Sequence, residues 1–338
     1  QLLTVGTQNT LMGYHAGRNL LGGGTNTIIG SEAGRSLNNG GNNTIVGRHG
    51  AYSLTTGDDN VAIGVFALYT GTTVSDNVAI GRSALTYIRG DDSVAVGYQA
   101  GQYATGSENT FVGSDAGKGG TTSAPYSSGQ YNTAIGYQAL DGFTTANNNV
   151  AIGKSAAGAL TTGVQNVAIG RDAMLSATTV QKVVALGYRA GYSLTTGDQR
   201  SVYLGEDTGF YNQTGIYNTY VGYRSGFGAS GNSNSYNVGL GYYSLGGITT
   251  GNNNVALGYN AGQNLTTGTE NVAIGAAAGA SLGDVDDAVL IGRLAGNSLN
   301  NSSADGTIAI GFESGRYLTT SSGNTIIGYR AARSGVSD

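Results

Sequence analysis

The chain has 338 residues, of which 60 are glycine and one is proline, with no cysteine and no tryptophan. Charged residues make up 11% and the net charge is −4; no basic run is present, which argues against a nucleic-acid partner. No apolar run reaches the ~18 residues of a membrane-spanning helix, no signal peptide is recognisable, and the lack of cysteine excludes a disulfide framework without fixing the compartment.

Length alone favours two domains, but an internal repeat overrides that expectation. A pentapeptide typified by Asn166-Val167-Ala168-Ile169-Gly170 recurs from residue 9 to residue 328. Its first residue, position 0 of each coil, falls at 9, 26, 43, 60, 77, 93, 109, 132, 149, 166, 183, 201, 218, 237, 254, 271, 288, 307 and 324; twelve of the eighteen steps are 17 residues. One structural unit stacked many times is implied. Position 0 is Asn except at Ser93, Val183, Ser201, Ala288 and Thr307. Position 1 is always β-branched, position 3 is Met, Ile, Val or Leu, and position 4 is always Gly. β-Branched residues favour a pleated strand, and glycine allows a sharp corner after it. Small residues at position 7 (Ala16, Ala173) and apolar ones at position 11 (Leu54, Leu160), followed by Thr-Thr and Gly, are read as a second strand and corner. The expected fold is an all-β parallel β-solenoid (β-roll) of about nineteen coils. At ~4.8 Å per coil, 1–338 would form a single rod roughly 90 Å long.

Position 2 carries no charge in any coil and includes Ala62, Ile45, Phe111, Tyr203 and Leu290. Strand alternation points it away from positions 1 and 3. Taken as outward, it makes the strand apolar on both faces and therefore buried on both. The expectation is a homotrimer with Ala62, Ala79, Ala151, Ala168 and Ala256 at the interface.

Along the chain, coils are regular to 108. Loop insertions follow at 117–131, which holds Pro125, at 227–236 and at 297–306. Residues 201–245 contain eight of the 22 tyrosines. An outward column at position 5 carries Tyr14, Tyr98, Tyr137, Tyr188, Tyr223, Tyr242, Tyr259 and Tyr329, mixed with Arg48, Arg82, Arg171 and Arg293. Because aromatic faces stack on sugar rings, Tyr203, Tyr211, Tyr217, Tyr220, Tyr223, Tyr242 and Tyr243 are the candidate ligand contacts; covering of neighbouring chains or corner glycines is the alternative. Both chain ends resemble mid-repeat cuts, as expected of a fragment or processed piece of a longer fibre.

Chemistry-bearing constellations are sparse. His15 and His49 share a column two coils apart, roughly 10 Å, too far to share a metal without a third ligand. Acidic corners at Asp58-Asp59, Asp91-Asp92 and Asp284–Asp287 are read as solvated. Asp172 with Glu206-Asp207 is the best carboxylate pair for polysaccharide hydrolysis, and it is not read as catalytic. No enzyme activity, cofactor or metal site is expected. The Thr-Thr column (55–56, 72–73, 144–145, 161–162, 178–179, 195–196, 249–250, 266–267, 319–320) motivates an ice-binding alternative, and the carboxylates a polysaccharide-degrading tailspike.

The units Asn132–Leu140 and Asn149–Ala156 resemble the head repeats of trimeric autotransporter adhesins, left-handed β-rolls that trimerise. They are more similar to the 17-residue repeats of tail-fibre-type proteins of phages and Bacteroidetes, in which a C-terminal chaperone is released near a Ser-Asp pair; this chain ends in Ser337-Asp338. That resemblance implies a non-enzymatic, extracellular fibre segment on a virion or cell surface, a spacer and adhesive surface for a glycan or protein receptor.

Overall fold

The computed structural model describes residues 6–120, 126–197, 199–319 and 322–333. Pro125, Thr320 and the Ser337-Asp338 pair lie outside them. The chain is an all-β parallel solenoid with nineteen three-residue strands, β1 (Thr10–Met12) to β19 (Thr325–Ile327). Each strand covers positions 1–3 of one coil. The chain divides into two compact units, 1–166 and 167–338. In the first, β1 to β9 (Val150–Ile152) pair in parallel, position for position, as in Val61↔Val78 and Ala62↔Ala79. In the second, β10 (Val167–Ile169) to β19 do the same.

The corner glycine behaves as its invariance demands. At position 4, φ lies between 121° (Gly222) and 143° (Gly97), a region effectively closed to side chains. A Cβ there would also sit 2.6 Å from the next coil's carbonyl at Gly13, and 2.3 Å from it at Gly81.

The expected second strand is not formed. Past the corner, positions 6 and 8 are left-handed in every coil, as is the residue before position 0. Turn bonds close around them, for example Ala16 N to Gly13 O and Leu20 N to Gly17 O. Among the described residues only isolated bridges, such as Asn147↔Val164, mark this side as β. Axial bonds nevertheless continue there: Gly17 N donates to Ala33 O, and Asn19 N to Arg35 O. Left-handed backbone costs a non-glycine residue roughly 1–2 kcal/mol; the turn and axial hydrogen bonds offset it.

Position 2 faces the opposite way from the sequence expectation. Ala62, Ala79, Ala151, Ala168 and Ala256 are fully buried inside their own coils, so none can meet a partner chain. Position 0 shares their face, and its asparagines form a buried ladder. Asn43 Oδ1 accepts from Asn60 N and Nδ2 at 3.0 Å each, while Asn43 Nδ2 donates to Gly57 O at 2.9 Å. Ser93 and Ser201 supply a hydroxyl acceptor in the same place, to Asn109 N at 3.3 Å and Asn218 N at 3.0 Å.

The interior is filled by complementary volumes. Position 8 is glycine opposite Leu11, Ile28, Phe111, Tyr203, Tyr220 and Leu290 at position 2, and alanine opposite Ile45 and Ile326; where position 8 is Leu68, Leu85, Leu140 or Met174, position 2 is alanine. A Cβ on Gly117 would lie 2.1 Å from the Phe111 ring, and one on Gly209 2.2 Å from the Tyr203 ring. The position-11 leucines from Leu20 to Leu299, including Leu54, Leu160 and Leu265, are buried as expected, and Leu318 is half-buried. The 297–306 insertion carries one 3₁₀ turn, Ser302–Ala304.

Candidate functional site

With positions 0 and 2 turned inward, positions 1 and 3 form the outward face of every strand. Position 1 holds only Val, Thr or Ile, and position 3 only Ile, Val, Leu or Met. Ile63, Ile135 and Ile169 are 37–38% exposed, and Leu240 51%. Each unit therefore presents two adjoining, uncharged columns of β-branched and aliphatic side chains.

The seven candidate tyrosines do not form one site. Tyr203 and Tyr220 are fully buried core residues, a correction to the ligand-contact expectation. Their size at position 2 carries their hydroxyls across the coil: Tyr203 Oη accepts from Asn212 Nδ2 at 3.1 Å, and Tyr220 Oη donates to Asn234 Oδ1 at 2.5 Å. Asn212 stands where other coils have the position-11 leucine. Desolvation pushes the Tyr203 hydroxyl up to about 12 and Tyr220 up likewise. Tyr223 and Tyr242 stack at 5.2 Å, continuing to Tyr259 at 5.3 Å. Tyr217 belongs to another column, stacked on Tyr236 at 5.1 Å. Tyr211 sets its edge against Phe210 and Phe227, with Tyr243 6.4 Å beyond Phe227. In these ladders ring faces are used on one another.

Two of the three carboxylates considered for hydrolysis, Asp172 and Asp207, are ion-paired. Asp207 is 1% exposed and held by Arg189 at 2.8 Å and Arg224 at 3.3 Å. The Asp207 hydrogen bonds strengthen the charged form of Arg189. Arg189 also lies over Tyr188 and Phe210, and Arg224 over Tyr223 and Phe227. Asp172 pairs with Arg171 at 3.1 Å. Glu313 is clasped by Arg316, Arg330 and Arg333.

Between His15 and His49 lies Glu32, 3.9 Å from His15 Nδ1 and 3.2 Å from His49 Nε2. The sequence reading missed this residue, although it occupies the same position 6 in the intervening coil. Among the described residues, no group of three metal-ligating side chains converges as an ion would require. At the acidic corners, Asp58 Oδ1 accepts from Gly41 N and Asp91 Oδ1 from Ser75 N, capping the preceding coil. Asp76 is held above the usual carboxylate range, first by desolvation and then by Asp92, Asp59, Asp91 and Asp58.

The Thr-Thr column is not a uniform hydroxyl array. The first threonine spends its hydroxyl on the next coil's carbonyl: Thr55 to Thr72 O, Thr144 to Thr161 O, Thr249 to Thr266 O. Among the described residues no helix is long and apolar enough to cross a membrane. Comparison with family models, curated proteins and solved structures finds no match to this chain.

Proposed function

We propose that the chain is a non-enzymatic, self-associating segment of an extracellular adhesive fibre, displayed on a virion or bacterial surface as spacer and glycan- or receptor-contacting rod. The outward strand face carries this proposal. On β1–β9 it sets two uncharged side chains per strand, Val61 and Ile63 among them, in register with their neighbours. Long apolar stripes of this kind mark association surfaces.

The partner best matched to it is another copy of the chain, because a face repeating every ~4.8 Å is complemented along its length by a surface of equal period. Burial at ~25 cal/mol/Å² favours association along each unit, and a standard interface needs roughly 800 Å² from each partner. Cyclic closure as a homotrimer gives a finite assembly. The role assigned to Ala62 and Ala168 thus passes to Ile63 and Ile169 beside them. Light scattering on the native chain is expected to report a trimer, and Ile63→Asp with Ile80→Asp a folded monomer with unchanged circular dichroism. A native monomer, or an intact oligomer in the double variant, would contradict this.

A further inference from the structure

The position-5 column behaves as a ladder of rungs. Where successive coils both carry a ring, the rings stack: Tyr223 on Tyr242 at 5.2 Å, Tyr242 on Tyr259 at 5.3 Å, Phe312 on Tyr329 at 5.3 Å, with planes 16–20° apart. A guanidinium fills the rung in the same way, Arg171 lying 5.5 Å from the Tyr188 ring and Arg293 5.6 Å from Phe312. In the first unit Ser31, Val65, Ser114 and Lys154 carry neither a ring nor a guanidinium, and of these only Ser114 lies between two rings. Tyr98, Ser114 and Tyr137 are consecutive in this column, on the coils of β6 (Val94–Val96), β7 (Thr110–Val112) and β8 (Thr133–Ile135). The axial ladder fixes their order, since Asp115 N donates to Tyr98 O at 2.9 Å and Gln138 N to Ser114 O at 3.1 Å. Tyr98 and Tyr137 are 46% and 48% exposed. Among the described residues, no ring or guanidinium stacks on either.

We propose that the gap over Ser114, walled by Tyr98 and Tyr137, is a binding site for one neutral pyranose ring of a glycan. Two rungs separate the tyrosines by roughly 10 Å, leaving about 5 Å from an inserted ring to each aromatic centroid, the range in which rings pack. The floor supplies hydrogen bonding: Ser114 Oγ lies 3.3 Å from Asp115 Oδ2, and Asp115 stands beside the gap at position 6. The charges favour a neutral occupant over a cationic side chain of a protein partner. Lys118 already pairs with Asp115 at 3.2 Å, and the rungs beyond the two tyrosines carry Arg82 and Lys154. This site rests on the adhesive reading above and specifies its glycan; it does not depend on self-association.

The test is binding of the full chain to a printed array of neutral and acidic glycans, with maltohexaose, cellohexaose and chitohexaose titrated in solution and a hexa-arginine peptide as cationic probe. At least one neutral glycan is expected to bind. Tyr98→Ala and Tyr137→Ala should each weaken it roughly tenfold, Ser114→Tyr should abolish it by filling the rung, and Tyr242→Ala should leave it unchanged. Ser114→Tyr is expected to fold, because the column already carries stacked tyrosines at 223, 242 and 259, and its circular dichroism should be native. No glycan bound, glycan binding unaffected by Ser114→Tyr, or hexa-arginine binding lost in Tyr98→Ala would each overturn the site. Sedimentation of the same variants reports self-association separately.

Discussion

Asn43 accepts from the next coil's backbone and side-chain amide and donates to its own coil's Gly57 carbonyl. Its neighbours Asn26 and Asn60 repeat the pattern. A buried amide that is left without its partner costs about 1–3 kcal/mol. Asn43→Ala strands the Asn60 N–H and the Gly57 carbonyl together, so a loss of about 2 kcal/mol or more is expected. Asn43→Ser should recover part of it, because Ser93 and Ser201 already serve as acceptors in this ladder. Urea unfolding followed by circular dichroism is the check. An Asn43→Ala midpoint no lower than that of the exposed control Asn39→Ala would show that the ladder is dispensable.

Within a coil, the strand wall and the turn wall are close enough that one large side chain fills the space between positions 2 and 8. Phe111→Ala should cost about 3–5 kcal/mol through the cavity it opens. Gly117→Leu should be as damaging, because its side chain would begin inside the Phe111 ring. The double change recreates the Ala62 and Leu68 arrangement three coils earlier in kind, and Leu68 holds φ 54° where Gly117 holds 52°. It should therefore regain most of the loss, a strongly non-additive cycle. Additive losses in thermal unfolding would mean that the two positions do not share one space.

The repeat, the strand at positions 1–3 and the glycine corner were legible because each leaves an invariant residue type. The inward face was not legible from alternation, since Val61 and Ile63 are as apolar as Ala62, and period two cannot choose between two apolar faces. The deciding signal was the parity of position 0: Asn60 and Ala62 share a face, and an amide repeated along an axis can satisfy itself in the interior. The pairing of Phe111 with Gly117, and of Ala62 with Leu68, carries the same information. The turn side was hidden because left-handed position 6 is occupied by residues as different as His15, Arg189 and Leu294, none of which announces such a backbone. Nothing in the local pattern of Tyr203 and Tyr220 announces that Asn212 donates to the one hydroxyl and Asn234 accepts from the other across the coil.

At the scale of the whole molecule, each unit combines a sealed, self-complementary interior with an outward face that has no charge at positions 1 and 3. Ion pairs such as Arg189–Asp207 and stacked rings such as Tyr223–Tyr242 run along other columns of the coil. The two proposals give assembly and recognition separate addresses: the strand face for other copies, the gap over Ser114 for a glycan. The absence of cysteine from the chain makes this division directly measurable. Ala62→Cys and Ile63→Cys place single thiols on opposite faces of one strand, and their rates of maleimide labelling can be followed as protein concentration is lowered. The Ala62→Cys thiol should stay unreactive at every concentration until the fold is lost. The Ile63→Cys thiol should be protected in the assembled protein and become reactive on dilution. Rapid labelling of folded Ala62→Cys, or full reactivity of Ile63→Cys at all concentrations, would contradict the inward and outward assignment and the self-association built on it.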